Sequence, residues 1–142
     1  MAKQSIKTEI NINAKPEAVW NVLTDFFNYP QWNPFIISIE GNVETGKRIH
    51  VKLQGMNFKP KVLVFEQNKE FRWLGHLWIK GLFDGEHRFQ LVENADGTTT
   101  FIHSENFSGI LVKLFTKMLK KNTEPGFKQM NQKLKERVEQ IA

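Results

Sequence analysis

The chain has 142 residues, enough for one domain with a single core and too few for two ordinary domains. Hydrophobic residues at 40% and charged residues at 25% place it among ordinary globular proteins. The lack of cysteine excludes a disulfide framework, cysteine-ligated zinc and a thiol nucleophile. The formal charge is +5, with much of the excess at Lys113, Lys117, Lys120, Lys121, Lys128, Lys133, Lys135 and Arg137. No aromatic residues interleave with these cations on a polar face. They read as the solvated face of a helix rather than a patch for nucleic acid or an anionic membrane. The polar start, Met1 to Ser5, runs directly into a strand pattern, and no apolar run is long enough to span a bilayer. A cytoplasmic location, no nucleic-acid partner and no integral membrane segment are the expectations; oligomeric state is left open.

In chain order, Ile6, Thr8, Ile10 and Ile12 alternate with Lys7, Glu9 and Asn11, which predicts a half-buried strand. Pro16 at a first helical position and the stripe Val19, Trp20, Leu23 predict a short helix over 16–24. Residues 25–34 mix Phe26, Phe27, Tyr29 and Trp32 with Pro30 and Pro34, which suits a second helical turn folded back over a cavity. Strands follow at 35–40, 48–54, 59–66, 70–76, 82–92 and 98–108. Short turns between them imply an antiparallel meander of about seven strands. From Gly109 onward the chain reads as helical and amphipathic. The predicted class is α+β: a curved sheet gripping a C-terminal helix, as a single domain over 1–142.

Several motifs in this order carry a family likeness: Pro16-Glu17-Ala18-Val19-Trp20, Tyr29-Pro30-Gln31-Trp32-Asn33-Pro34-Phe35, Arg72-Trp73-Leu74-Gly75, Gly85-Glu86-His87-Arg88-Phe89, Phe101 to Gly109, and Gly126-Phe127 with Met130-Asn131. With these the chain resembles the START-like (SRPBCC) superfamily, in its polyketide cyclase/dehydrase and lipid-transport branch. The resemblance implies a helix-grip fold with a hydrophobic cavity between sheet and terminal helix. It does not choose an activity, because such folds host ligand carriers, cyclases and co-chaperone-like interaction modules.

The last hairpin is where chemistry could sit. By period two, Phe83, Gly85, His87, Phe89 and Leu91 share one face of the first arm, and Phe101, His103, Glu105 and Phe107 share one face of the second. Centred on Ala95, the hairpin sets His87 opposite His103, with Glu105 as a diagonal neighbour of His87. Two histidines and a carboxylate in an apolar wall must satisfy one another or a ligand. The candidate catalytic residues are therefore His87, Glu105 and His103. They could orient the polar group of an apolar ligand, act as an acid/base pair in a cyclase or dehydratase, ligate a metal, or form a structural network. A metal is disfavoured because both histidines sit on adjacent strands in a flat wall with no carboxylate evident behind them, and no cofactor motif is present. His50 and His76 are expected to face solvent.

The predicted ligand-contacting set adds Trp32, Phe35, Trp73 and Trp78 from the early wall, Phe89 and Phe101 from the hairpin, and Phe127 and Met130 from the helix. The leading expectation is binding, as a carrier or sensor, of a hydrophobic lipid-like or aromatic small molecule. The rivals are a cyclase/dehydratase using Glu105 with His87 or His103, and a co-chaperone-like interaction module. Within the terminal segment, the stripe Leu111, Leu114, Phe115, Met118, Leu119 is offset by about 130° from the stripe Phe127, Met130, Leu134, Val138, Ile141. With Pro125 between them, the offset predicts a break or sharp kink near 121–125. The second helix would be gripped and the first would serve as a lid.

Overall fold

The computed structural model describes residues 3–76, 81 and 83–141, with backbone alone at residue 119. Among the described residues there are eight strands: β1 Lys3–Ile12, β2 Ile36–Glu40, β3 His50–Leu53, β4 Met56–Phe58, β5 Lys61–Glu66, β6 Glu70–His76, β7 Asp84–Glu93 and β8 Thr99–Ser108. The helices are α1 Pro16–Leu23, α2 Tyr29–Trp32 and α3 Val112–Ile141, with a 3₁₀ turn at Phe26–Asn28 before α2. The strands form an antiparallel five-stranded sheet in the order β1-β8-β7-β6-β5 and a three-stranded sheet β2-β3-β4. An Arg48–Lys61 bridge connects the two, backed by the Val62 amide on the Lys47 carbonyl at 2.8 Å. The α+β helix-grip architecture is as expected. The additional strand is β4, three residues too short to show an alternation of its own.

Alternation places the core. On β1, Ile6, Thr8 and Ile12 are buried while Lys7, Glu9 and Asn11 are exposed. On β7, Gly85, His87, Phe89 and Leu91 face inward, and on β8 Phe101, His103 and Phe107 do so. On the outer face of β6 and β7, Glu70 takes hydrogen bonds from Arg72 and Arg88. Burial pushes the Glu70 carboxyl up, but the two guanidinium groups outweigh it and hold it below the usual range.

The helix α3 runs without interruption from Val112 to Ile141 and passes through Pro125. The expected break is absent. The phase offset is met by a division of the first stripe instead: Leu111 and Phe115 pack beside Phe83 and Phe107. Phe127, Met130, Leu134 and Val138 are buried against the sheet, whereas Leu114 and Met118 point to solvent. Pro125 lacks the N–H that would reach the carbonyl of residue 121. Lys121 is exposed, so water can take that bond. Gly126 lets α3 approach β2: a Cβ there would lie 2.7 Å from Cδ1 of Phe35. At its end α3 is tied to β1 by Lys135 Nζ on the Asn11 carbonyl (2.8 Å) and by the Asn13 amide on Glu139 (2.8 Å). Among the described residues no helix is long and apolar enough to cross a membrane.

Candidate functional site

The β7–β8 turn decides which inward side chains meet. Gly97 donates its N–H to the Asn94 carbonyl and sits at φ +87°, a conformation glycine adopts without strain. Thr98 donates to Asp96 at 3.0 Å. The turn is centred on Asp96, one residue beyond the expected Ala95, and the pairing moves by two. His87 therefore lies opposite Glu105 and Phe89 opposite His103, leaving His87 and His103 as the diagonal pair. The inward face is unchanged, because a shift of two preserves it.

A line of hydrogen bonds crosses the sheet and ends on α3. His87 Nδ1 is 3.2 Å from Glu105 Oε1, and His87 Nε2 is 2.7 Å from His103 Nε2. His103 Nδ1 is 2.9 Å from Asn131 Oδ1, Asn131 Nδ2 is 2.8 Å from Thr8 Oγ1, and Thr8 Oγ1 is 2.9 Å from the His103 carbonyl. The directions follow from one end. The carbonyl can only accept, so Thr8 donates to it and accepts from the Asn131 amide. The Asn131 oxygen then faces His103, whose Nδ1–H donates.

His103 is held well below the ordinary imidazole value by burial first and by neighbouring His87 second; Asn131 and the Phe127 backbone counter this in part. The ring is neutral at neutral pH, so its Nε2 accepts from His87 Nε2–H. His87 Nδ1 and Glu105 Oε1 are left facing each other, and two bare acceptors at that distance would repel. A hydrogen bond between them needs a proton on one of the two, and the cavity meets the chain of bonds at this pair.

Packing fixes the rings. Trp73 stacks on His87 with centroids 4.7 Å apart, and Phe127 stacks on His103 at 3.9 Å. Gly85 makes room for the carboxylate, since a Cβ there would collide with Glu105 Oε2. Burial separates the roles. The side chain of His87 is 4% exposed and that of Glu105 15%, while His103 is wholly enclosed.

A cavity of about 150 Å³ opens beside this pair. Its walls include Phe35, Leu53, Phe58, Trp73, Phe83 and Phe107, with Asn122 and Thr123 of α3 on one side. Of the predicted contact residues, Phe35, Trp73, His87 and Glu105 line it. Phe89, Phe101, His103, Phe127 and Met130 are fully buried behind the lining. Trp32 lies off the wall, edge-on to Tyr29 at 5.2 Å, and its indole N–H has no partner among the described residues. Trp78 lies outside the described residues, as does the expected strand start at Leu82.

Sequence reasoning did not assign Thr8 or Asn131 to the site, although each sits on an inward face, by period two on β1 and by helical spacing with Phe127 and Leu134 on α3. His76 is on the outer face of β6, half-buried there and bonded to Asp84 at 2.6 Å. Among the described residues no group of three or more histidines and carboxylates could hold a metal ion. A wider depression of about 680 Å³ lies among Lys15, Glu17, Glu66, Lys69, Glu70 and Glu93. Its lining is charged and holds neither histidine nor aromatic ring, so we place the candidate site in the smaller, apolar cavity.

Comparison with known proteins agrees with this architecture. The START superfamily protein from Mycobacterium smegmatis superimposes with a TM-score of 0.76 at 20% identity, covering 97% of this chain and 99% of its own. The Zhui aromatase/cyclase from Streptomyces sp. R1128 gives 0.73 at 13% identity, over 98% and 95%. Norcoclaurine synthase from Thalictrum flavum, solved with dopamine and hydroxybenzaldehyde, gives 0.74 at 12% identity, over 99% and 89%. No curated protein matches the sequence. At these identities the structures share the fold, while the family described as polyketide cyclase/dehydrase and lipid transport matches residues 3–139. The chain thus belongs to that family.

Proposed function

We propose that the protein binds an amphipathic small molecule, with an aromatic or lipid-like body in the cavity and a hydroxyl or similar polar group at Glu105 and His87. The observation that carries this reading is the lining itself. Apolar side chains and two glycines surround His87 and Glu105, and the other polar side chains are Asn122 and Thr123 on α3. A few placed polar groups in an apolar wall orient a ligand without supplying most of its affinity. A dry cavity of about 150 Å³ accepts a benzene-sized group. The cavity therefore suits one ring or a short chain, and a longer ligand would extend past Asn122 and Thr123.

An acid/base activity of the cyclase or dehydratase kind is the second reading, favoured by the contact of Glu105 with His87 at the cavity wall. That pair can lend its proton to a ligand oxygen and recover it. His103 is less suited to touch a ligand, being enclosed with both ring nitrogens engaged. It would act through His87.

Native mass spectrometry of freshly purified protein, with organic extraction of whatever co-purifies, tests the binding reading. An adduct that extracts as an amphipathic molecule is expected. Titration of tryptophan fluorescence with phenols and fatty acids should then show binding that Glu105→Gln weakens about tenfold, the worth of one hydrogen bond to a charged group. An empty protein indifferent to both panels would refute it.

A further inference from the structure

The stretch from Gly109 to Thr123 carries Lys113, Lys117, Lys120 and Lys121 and no acidic residue. It is also where α3 turns apolar side chains outward. Leu114 is 75% exposed and Met118 50%, and Ile110, in the turn before the helix, is 65% exposed. Leu114 and Met118 are four residues apart and stand one above the other. At about 100° per residue, Lys117 and Lys121 lie about 60° to one side of them. Among the described residues none of the four lysines is paired with a carboxylate. Farther along the same helix Lys128, Lys133 and Lys135 are paired with Glu124, Glu136 and Glu139. The lysines alone read as a solvated face; the uncovered apolar row beside them does not.

Each possible occupant must satisfy both features. A nucleic acid would engage the lysines through its phosphates and leave Leu114 and Met118 in water. A second copy of the chain, meeting this face across a two-fold axis, would cover the apolar row but press the lysines of one copy towards those of the other. An anionic bilayer satisfies both: apolar side chains enter the acyl boundary while lysines remain at the headgroups. We infer that the N-terminal half of α3, with Ile110, is a docking surface for anionic phospholipid membranes. The surface adjoins the cavity, because Asn122 lines it one turn beyond Met118. Docking would turn that side of the cavity to the lipid. The docking itself does not depend on the ligand reading.

Co-sedimentation of the full chain with vesicles tests it, using phosphatidylcholine alone and phosphatidylcholine mixed with phosphatidylglycerol. Binding to the mixed vesicles only is expected, lost towards about 1 M salt, where the screening length falls to about 3 Å. Lys117→Gln with Lys121→Gln should weaken it about twenty-five-fold, about fivefold for each lysine near the surface. Leu114→Ser with Met118→Ser should weaken it at least about tenfold. Both pairs should keep the wild-type thermal midpoint, their side chains being exposed, and should bind cavity ligands unchanged. Absence of binding to anionic vesicles at low salt would overturn the inference. So would equal binding to both vesicle types, or a wild-type dimer that the Leu114→Ser/Met118→Ser pair dissociates.

Discussion

The two halves of α3 are one helix in opposite surroundings. From Phe127 to Val138 its apolar row is buried against β1 and β8, and Asn131 stands in that row as the partner of His103 and Thr8. Before Asn122 the row divides: Leu111 and Phe115 pack against the cluster of Phe83, Phe107 and Val112, Leu114 and Met118 are exposed, and the lysines have no acidic partners among the described residues. Both halves have helical periodicity, but a single rigid helix cannot turn the whole of two offset stripes to the core. The difference teaches that an apolar stripe marks a helix face without saying what covers it. In the second half the cover is the protein's own sheet.

The largest break in this comparison should come from truncating each half in turn. Leu134→Ala should cost about 2–5 kcal/mol of unfolding free energy, the range for opening a cavity in a packed core. Leu114→Ala should stay within about 0.5 kcal/mol, as exposed positions do. Urea unfolding of the two variants reads the contrast directly, and similar losses at both positions would erase it.

A smaller effect is expected at the polar position of the buried half. Asn131→Leu should cost about 1–3 kcal/mol, because His103 Nδ1–H and the Thr8 hydroxyl lose a partner where water does not replace it. Thermal unfolding measures the loss. The imidazole signals of His87 should move as well, since His103 would no longer be held in one tautomer. A loss of stability that left the His87 signals unchanged would make Asn131 a packing residue only.

The pH dependence should be gentler and has a definite sign. Folded His103 stays neutral where the unfolded chain takes up a proton, because burial and His87 hold its value down. Between its lowered folded value and the ordinary imidazole value of about 6.5, the unfolded state binds more protons. This contribution to stability is therefore full above about pH 6.5 and declines as pH falls below it, with a slope of at most about 1.4 kcal/mol per pH unit. His103→Gln should remove that part of the slope. An unchanged slope in the variant would assign it elsewhere.

Much of this was legible in the sequence. Alternation on β1, β7 and β8 identifies the inward residues, and it brings His87, His103 and Glu105 to one wall before any coordinates are known. The register of the hairpin was not legible, because Glu93 to Gly97 can close around Ala95 or Asp96 and only the Asn94–Gly97 and Asp96–Thr98 bonds decide. The continuity of α3 was hidden for a different reason. Pro125 and a phase change look like a break, yet a carbonyl freed by proline can turn to water on an exposed face. The roles of Thr8 and Asn131 arise from contacts 95 and 123 residues apart in sequence, which no local pattern records.

The central claim is that the paired His87 and Glu105 meet a ligand in the apolar cavity. Long-range proton–nitrogen NMR of the imidazole rings, recorded with and without a bound phenol or fatty acid, tests it most directly. The account predicts a His103 ring that keeps its proton on Nδ1 in both states. It also predicts that the His87 Nδ1 signal shifts on binding and that Glu105→Gln abolishes the shift. A ligand that binds while His87 stays unmoved, or a His103 protonated on Nε2, would contradict it.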